Sequence, residues 1–134
     1  MSESFLNADK PGSGKRVLLI DDEEMILAMM CDHLMQYGYE VKVTTDGEEA
    51  LQAFAETNFD LTVCDWRMPG LNGRQFYERL RDVNPKACER MIFVSGDVIN
   101  AKMRQFLEKE KCASLSKPFT LSEFRSVIEA TLKP

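Results

Sequence analysis

The chain has 134 residues, 44% of them apolar and 29% charged, and its 17 Lys and Arg against 22 Asp and Glu leave a formal charge of −5. That is one domain's worth of sequence, too apolar and too weakly charged to stay disordered, and its acidic balance disfavours nucleic acid or an anionic membrane as a direct partner. No apolar run approaches the roughly eighteen residues of a membrane span, residues 1–15 contain no secretory apolar core, and the cysteines at 31, 64, 88 and 112 form no CxxC pair. With one histidine, the usual zinc ligand sets cannot be assembled, and reduced thiols in a cytoplasmic chain are expected.

Residues 1–14 are rich in Ser, Gly, Asp and Pro and are expected to be a flexible tail or linker, leaving 15–134 as the folded domain. Five short apolar runs then read as strands: Val17 to Ile20, Val41 to Val43, Leu61 to Cys64, Met91 to Val94, and Ala113 to Leu115. The first, third and fourth are apolar on consecutive residues, the mark of strands covered on both faces, and belong in the middle of a sheet. Between the runs, apolar residues recur three and four apart. Ile26, Met29, Met30 and Leu34 define the first helix, whose methionines are expected to fill the core; Ala50, Leu51 and Phe54 define the second. Phe76, Leu80 and Val83, then Met103, Phe106 and Leu107, then Phe124, Val127, Ile128 and Leu132 define the remaining three. Asp46 with Glu49 and Thr120 with Glu123 have capping-box spacing, Asn72 is placed to cap the third helix, and Gly38 and Pro85 sit where helices should stop. Five consecutive βα units with right-handed crossovers make an α/β fold, a doubly wound five-stranded parallel sheet with helices on both faces.

Ligands bind such sheets outside the carboxyl ends of the strands. Asp21 and Asp22 follow the first strand, Asp65 the third, Ser95 and Gly96 the fourth, and Ser116, Lys117 and Pro118 the fifth. Any one of these has an ordinary explanation as a turn, cap or surface residue. Together they bring three carboxylates, a hydroxyl and an ammonium to one rim, provided strands one and three are neighbours. Two carboxylates about 4 Å apart repel by roughly 4 kcal/mol at an effective dielectric near 20, more than one lysine offsets in a triple cluster. An oxygen-only ligand set points to Mg2+, and metal, Ser95 and Lys117 together suit a phosphoryl group. His33 lies beside the apolar stripe of the first helix and reads as a satisfied or surface histidine.

Four pieces, Asp21-Asp22-Glu23-Glu24, Asp65-Trp66-Arg67-Met68-Pro69-Gly70-Leu71-Asn72-Gly73, Ser95-Gly96-Asp97 and Lys117-Pro118-Phe119, occur in order at separations that resemble the response-regulator receiver domain over 15–133. The resemblance implies a flavodoxin-like (βα)5 fold with strand order 2-1-3-4-5, and a signalling domain rather than a conventional enzyme. Its Asp65 would accept a phosphoryl group from a phosphohistidine on a histidine kinase or histidine phosphotransfer protein. Asp21, Asp22, Asp65 and the main-chain carbonyl of Arg67 would hold Mg2+, Ser95 would hydrogen-bond the phosphoryl oxygens, Lys117 would pair with them, the Lys117-Pro118 bond would be cis, and Gly96 would stay small to admit the donor. The domain would promote its own phosphorylation and dephosphorylation. A weak homodimer is compatible with this. One departure is Ser114, where the family usually has an aromatic residue. A second feature is Arg67 with Asp97, which would flank the phosphoryl group, Arg67 shielding it from water; a solvated surface pair is the plainer reading.

Three alternatives share parts of the pattern. An aspartate-nucleophile phosphatase of the dehalogenase type wants a second Asp where Arg67 stands. An FMN binder wants a Ser/Thr/Gly phosphate loop where Asp21-Asp22-Glu23-Glu24 stands. A non-phosphorylated, protein-binding receiver-like module has no need of Asp65 and Lys117. The closest flavour of the resemblance is to receivers attached to hybrid histidine kinases, with the leader as a linker.

Overall fold

The computed structural model describes residues 10–96 and 100–133. Its five strands, β1 (Arg16–Ile20), β2 (Glu40–Thr44), β3 (Leu61–Asp65), β4 (Met91–Ser95) and β5 (Ala113–Ser116), pair in parallel in the order β2-β1-β3-β4-β5. Five helices alternate with them: α1 (Glu24–Gln36), α2 (Gly47–Glu56), α3 (Gly73–Val83), α4 (Ala101–Glu110) and α5 (Leu121–Leu132), with a 3-10 turn at Pro85–Glu89. β3 and β4 are buried throughout and β1 after its first residue, whereas edge strand β2 is mostly exposed. Continuous apolar runs therefore lie where both sheet faces are covered.

Alternate residues of the strands feed two cores. Leu18, Ile20, Cys64, Met91 and Phe93 pack against α2, α3 and α4. Val17, Leu19, Leu61, Val63, Ile92 and Val94 pack against α1 and α5. The period-two alternation of strand side chains makes this division unavoidable once the central strands are apolar on every residue.

Helix starts follow local polar chemistry. Asn72 with Gln75 and Thr120 with Glu123 form reciprocal capping boxes, and the Asp46 and Asn100 side chains accept from the N–H groups of Glu49 and Met103. α1 closes at Tyr37 and Gly38, whose φ of 92° is in the range that favours glycine.

The expectation for the methionines of α1 is corrected. Met30 is 1% exposed and belongs to the core with Leu27 and Leu34, but Met25 is 87% exposed and Met29 and Met35 face solvent. The inward stripe is centred on Leu27, Met30 and Leu34, with Ile26 half-buried against the same core and Met29 turned outward, a rotation that leaves the three- and four-residue spacing intact. His33 lies between the rings of Tyr37 and Phe124, at 5.0 and 6.2 Å, and its Nε2 has no hydrogen-bond partner. It is half-buried, between the satisfied and the surface histidine that the sequence offers as readings.

Residues 1–9 of the expected tail lie outside the described residues. Residues 10–14 form turns, with the Gly12 N–H donating to the Tyr37 carbonyl at 2.8 Å.

Candidate functional site

With β1 and β3 adjacent, Asp21 and Asp65 come together at the carboxyl end of the sheet. Asp65 is the last residue of β3 and Ser95 the last of β4; both are buried, as is Asp21 just past β1. Asp22 is exposed beside them. One oxygen from each of Asp21, Asp22 and Asp65 lies within 4.8 Å of the other two. An open cleft of about 310 Å³ is lined by Asp22, Glu23, Asp65, Arg67, Ser95, Gly96 and Lys117.

Main-chain bonds hold this rim. The Lys117 N–H donates to the Ser95 carbonyl at 2.7 Å, joining the ends of β4 and β5, and the Trp66 N–H donates to Val94 at 2.8 Å. The loop after β3 returns closely, with Gly73 N–H on the Trp66 carbonyl at 2.9 Å. A Cβ on Gly73 would stand 3.1 Å from Trp66 Cα and 3.2 Å from the Asp65 carbonyl oxygen, so any side chain there would push on the backbone of the return. Gly96 is different: among the described residues a Cβ there would meet Lys117 Cδ at 3.8 Å, an ordinary contact. The Lys117-Pro118 peptide is cis.

Lys117 is the electrostatic centre of the rim. Its Nζ stands 2.7 Å from Glu23 Oε1, 3.1 Å from Asp21 Oδ2 and 3.5 Å from Asp65 Oδ2. Burial alone would lower its pKa, but hydrogen bonds with Glu23 and Asp21 and the charges of Asp65 and Asp21 outweigh that and raise it. The pKa of Asp65 also rises, which for a carboxylate favours the neutral form. Burial first, then the Asp21 charge, push it up to about 7 against the opposing effect of Lys117 and the Arg67 N–H. Asp21 Oδ1 accepts from the Glu23 N–H at 2.9 Å, while Oδ2, fully enclosed, is within ion-pair distance of Lys117 but accepts no well-formed hydrogen bond.

Three clustered carboxylates, one with an orphaned buried oxygen, and no sulfur or imidazole donor among them fit a hard divalent cation that keeps part of its water shell. The Arg67 N–H donates to Asp65 Oδ1 at 3.4 Å, so Arg67 does reach the rim. Asp97 lies outside the described residues, and the expected Arg67–Asp97 pair with it. Glu23 was not singled out by the sequence. Its neighbours Asp22 and Glu24 are equally acidic, and nothing local shows that this one turns toward a lysine 94 residues away.

An α/β domain of flavodoxin-like topology with an acidic pocket at the strand ends is what the fold and the site define together. The family model for the response regulator receiver domain matches residues 17–129, and the chain belongs to that family. It is 30% identical over 118 residues to the regulatory protein VanRB of Enterococcus faecalis, covering 88% of this chain and 52% of that one. It is 28% identical over 116 residues to the sensor histidine kinase RcsC of Escherichia coli, covering 87% and 12%. Among solved structures, the response regulator TrrA of Thermotoga maritima, determined in complex with Mg2+–BeF, superposes with a TM-score of 0.73 at 28% identity, over 88% of this chain and 99% of that one. The chain spans about half or less of the length of the curated relatives it matches. It is a receiver domain of the two-component signalling type, and among its described residues no helix is long and apolar enough to cross a membrane.

Proposed function

We propose that Asp65 is the phosphoacceptor of this receiver, taking a phosphoryl group from a phosphohistidine on a histidine kinase or histidine phosphotransfer protein. An Asp65 carboxylate oxygen attacks phosphorus, the P–N bond to the donor imidazole breaks, and the departing nitrogen takes up a proton, leaving an acyl phosphate on Asp65. Reversal to the resting state is attack of water on the same phosphorus with release of inorganic phosphate.

Asp21, Asp22, Asp65 and the Arg67 carbonyl would hold Mg2+, which when bound neutralises charge on the transferring phosphoryl group. Lys117 sets one cation against Asp65 and opposes, without cancelling, the burial and the Asp21 charge that favour its neutral form. The Ser95 side chain, at the end of β4 and lining the same cleft, supplies a hydroxyl to the new phosphoryl oxygens. The domain thereby promotes its own phosphorylation and dephosphorylation, and the added charge biases its surface toward a partner-binding state. Four free thiols suit a cytoplasmic setting.

What carries this reading is the convergence of three carboxylates, Ser95 and Lys117 on one cleft at the carboxyl edge of the sheet. Incubation with Mg2+ and acetyl phosphate tests it. Intact-mass spectrometry should show one adduct of about 80 daltons, absent from Asp65→Asn and from samples treated with chelator. Turnover of the donor without an adduct would favour the phosphatase reading, and no reaction at all would leave a protein-binding module.

A further inference from the structure

Lys117 is shared three ways, and the tightest of its contacts is not with either buried aspartate. Glu23 Oε1 is 2.7 Å from Nζ, against 3.1 Å for Asp21 and 3.5 Å for Asp65. The Glu23 contact is a well-formed hydrogen bond, whereas the two aspartates stand at ion-pair distance. Glu23 also touches the site from its main chain, through the N–H that fixes Asp21 Oδ1. It sits at the N-cap position of α1, yet its side chain makes no capping bond there; the carboxylate turns across the cleft mouth to the lysine instead. Lys117 is 12% exposed at its side chain, whereas Glu23 is 55% exposed, so the pair is a largely buried cation held by a solvated anion.

On this geometry we infer that Glu23 is a positioning residue that retains Lys117 in the resting site and competes for it with the phosphoryl group on Asp65. This rests on the reading of Asp65 as phosphoacceptor and adds how that site is regulated. Phosphorylation replaces the single charge of the Asp65 carboxylate with the roughly two charges of an acyl phosphate and places their oxygens within reach of Nζ. Nothing else on the lysine can be given up as readily: Asp21 is buried and tied to the Glu23 N–H, and Asp65 is the acceptor itself. Glu23 alone can swing into water without leaving a buried charge unpaired. Each phosphorylation event therefore exchanges the Glu23–Lys117 pair for a phosphoryl–Lys117 pair, and the strength of the first sets how far the equilibrium favours the resting state.

The test is binding of beryllium fluoride at saturating Mg2+, read by the resonances of bound fluoride in 19F NMR. In the parent, binding that is lost in Asp65→Asn supports the phosphoacceptor reading, and absence of parent binding overturns that reading on its own account. Given parent binding, Glu23→Gln should half-saturate at about threefold to tenfold lower beryllium fluoride, the range of a contact worth up to roughly 1.4 kcal/mol. Glu23→Asp keeps the charge but is one methylene too short for the 2.7 Å contact; it should resemble Glu23→Gln. Mg2+ affinity without fluoride should be unchanged or slightly weaker in both variants, because an acid beside the metal ligands is lost or displaced. Unchanged or weaker fluoride binding in Glu23→Gln overturns the inference. So does a Glu23→Asp variant indistinguishable from the parent, which would reduce Glu23 to a diffuse surface charge.

Discussion

Two regions of the molecule are equally hidden from water and use that condition in opposite ways. Phe76 and Phe93 in the layer between the sheet and α3 and α4 are 0% exposed, and Asp21 and Asp65 at the rim are 0% and 5% exposed. In the interior, burial stabilises. The Phe93 ring lies 5.2 Å from Trp66, 5.9 Å from Phe106 and 6.2 Å from Tyr77, each pair tilted or edge-on. At the rim, burial costs. Desolvation and mutual repulsion hold Asp65 up to about 7, against the opposing effect of Lys117 and the Arg67 N–H. The fold thus stores at its rim a charge imbalance that the interior has to outweigh, and that imbalance is what a cation and a phosphoryl group come to relieve.

Removing an interior ring should expose this difference most strongly. Phe93→Ala takes out the centre of the aromatic cluster, and urea unfolding should show a loss of about 3–5 kcal/mol, a large share of the roughly 5–15 kcal/mol available to a domain. A loss below about 1 kcal/mol would mean that the layer rearranges to fill the space and is not the rigid support described here.

The rim should answer with the reverse sign. Asp65 titrates near 3.8 when unfolded and near 7 in the fold without metal. Between those values the native state keeps a proton the unfolded chain has released, so stability falls as pH rises through that window. Asp65→Asn lacks this group. In chelator at pH 7.5 it should be more stable than the parent by about 1–3 kcal/mol, with the two converging near pH 4. Equal stabilities across the whole range would show that Lys117 already cancels the cost of burial, and the contrast between rim and interior would fail.

Much of the architecture was readable because it follows from short-range chemistry. Each strand extends only a residue or two beyond its apolar run, as at Asp65 and Ser95, and the Asn72 and Thr120 caps needed only residues three positions apart. The acid-hydroxyl-lysine set was readable for a different reason: parallel strands put the residue after each run on one rim, whatever lies between. Two features were not. The stripe through Leu27, Met30 and Leu34 and the neighbouring stripe through Ile26, Met29 and Met30 satisfy the same helical spacing, and methionine loses little by facing water. Glu23 depends on a contact across most of the chain, between the start of α1 and the end of β5, which no local pattern encodes.

The smallest of the three effects concerns the layer on the other side of the sheet, where α1 meets α5. His33 faces the rings of Tyr37 and Phe124 and the guanidinium of Arg125, which lies over the Tyr37 ring, bonds the Tyr37 hydroxyl and pairs along α5 with Glu129 at 3.9 Å. Burial first, and then the Arg125 charge, hold the imidazole below its ordinary value of 6.5. The unfolded chain therefore binds a proton at a pH where the native chain does not, so stability is whole above about 6.5 and declines as pH falls below it. His33→Phe removes the proton site while keeping an aromatic body between Tyr37 and Phe124. The difference in melting temperature between variant and parent should widen in the variant's favour from pH 7.5 to pH 5.5. A constant difference over that range would show that His33 is free to turn its proton into water, and that this layer, unlike the rim, carries no charge penalty of its own.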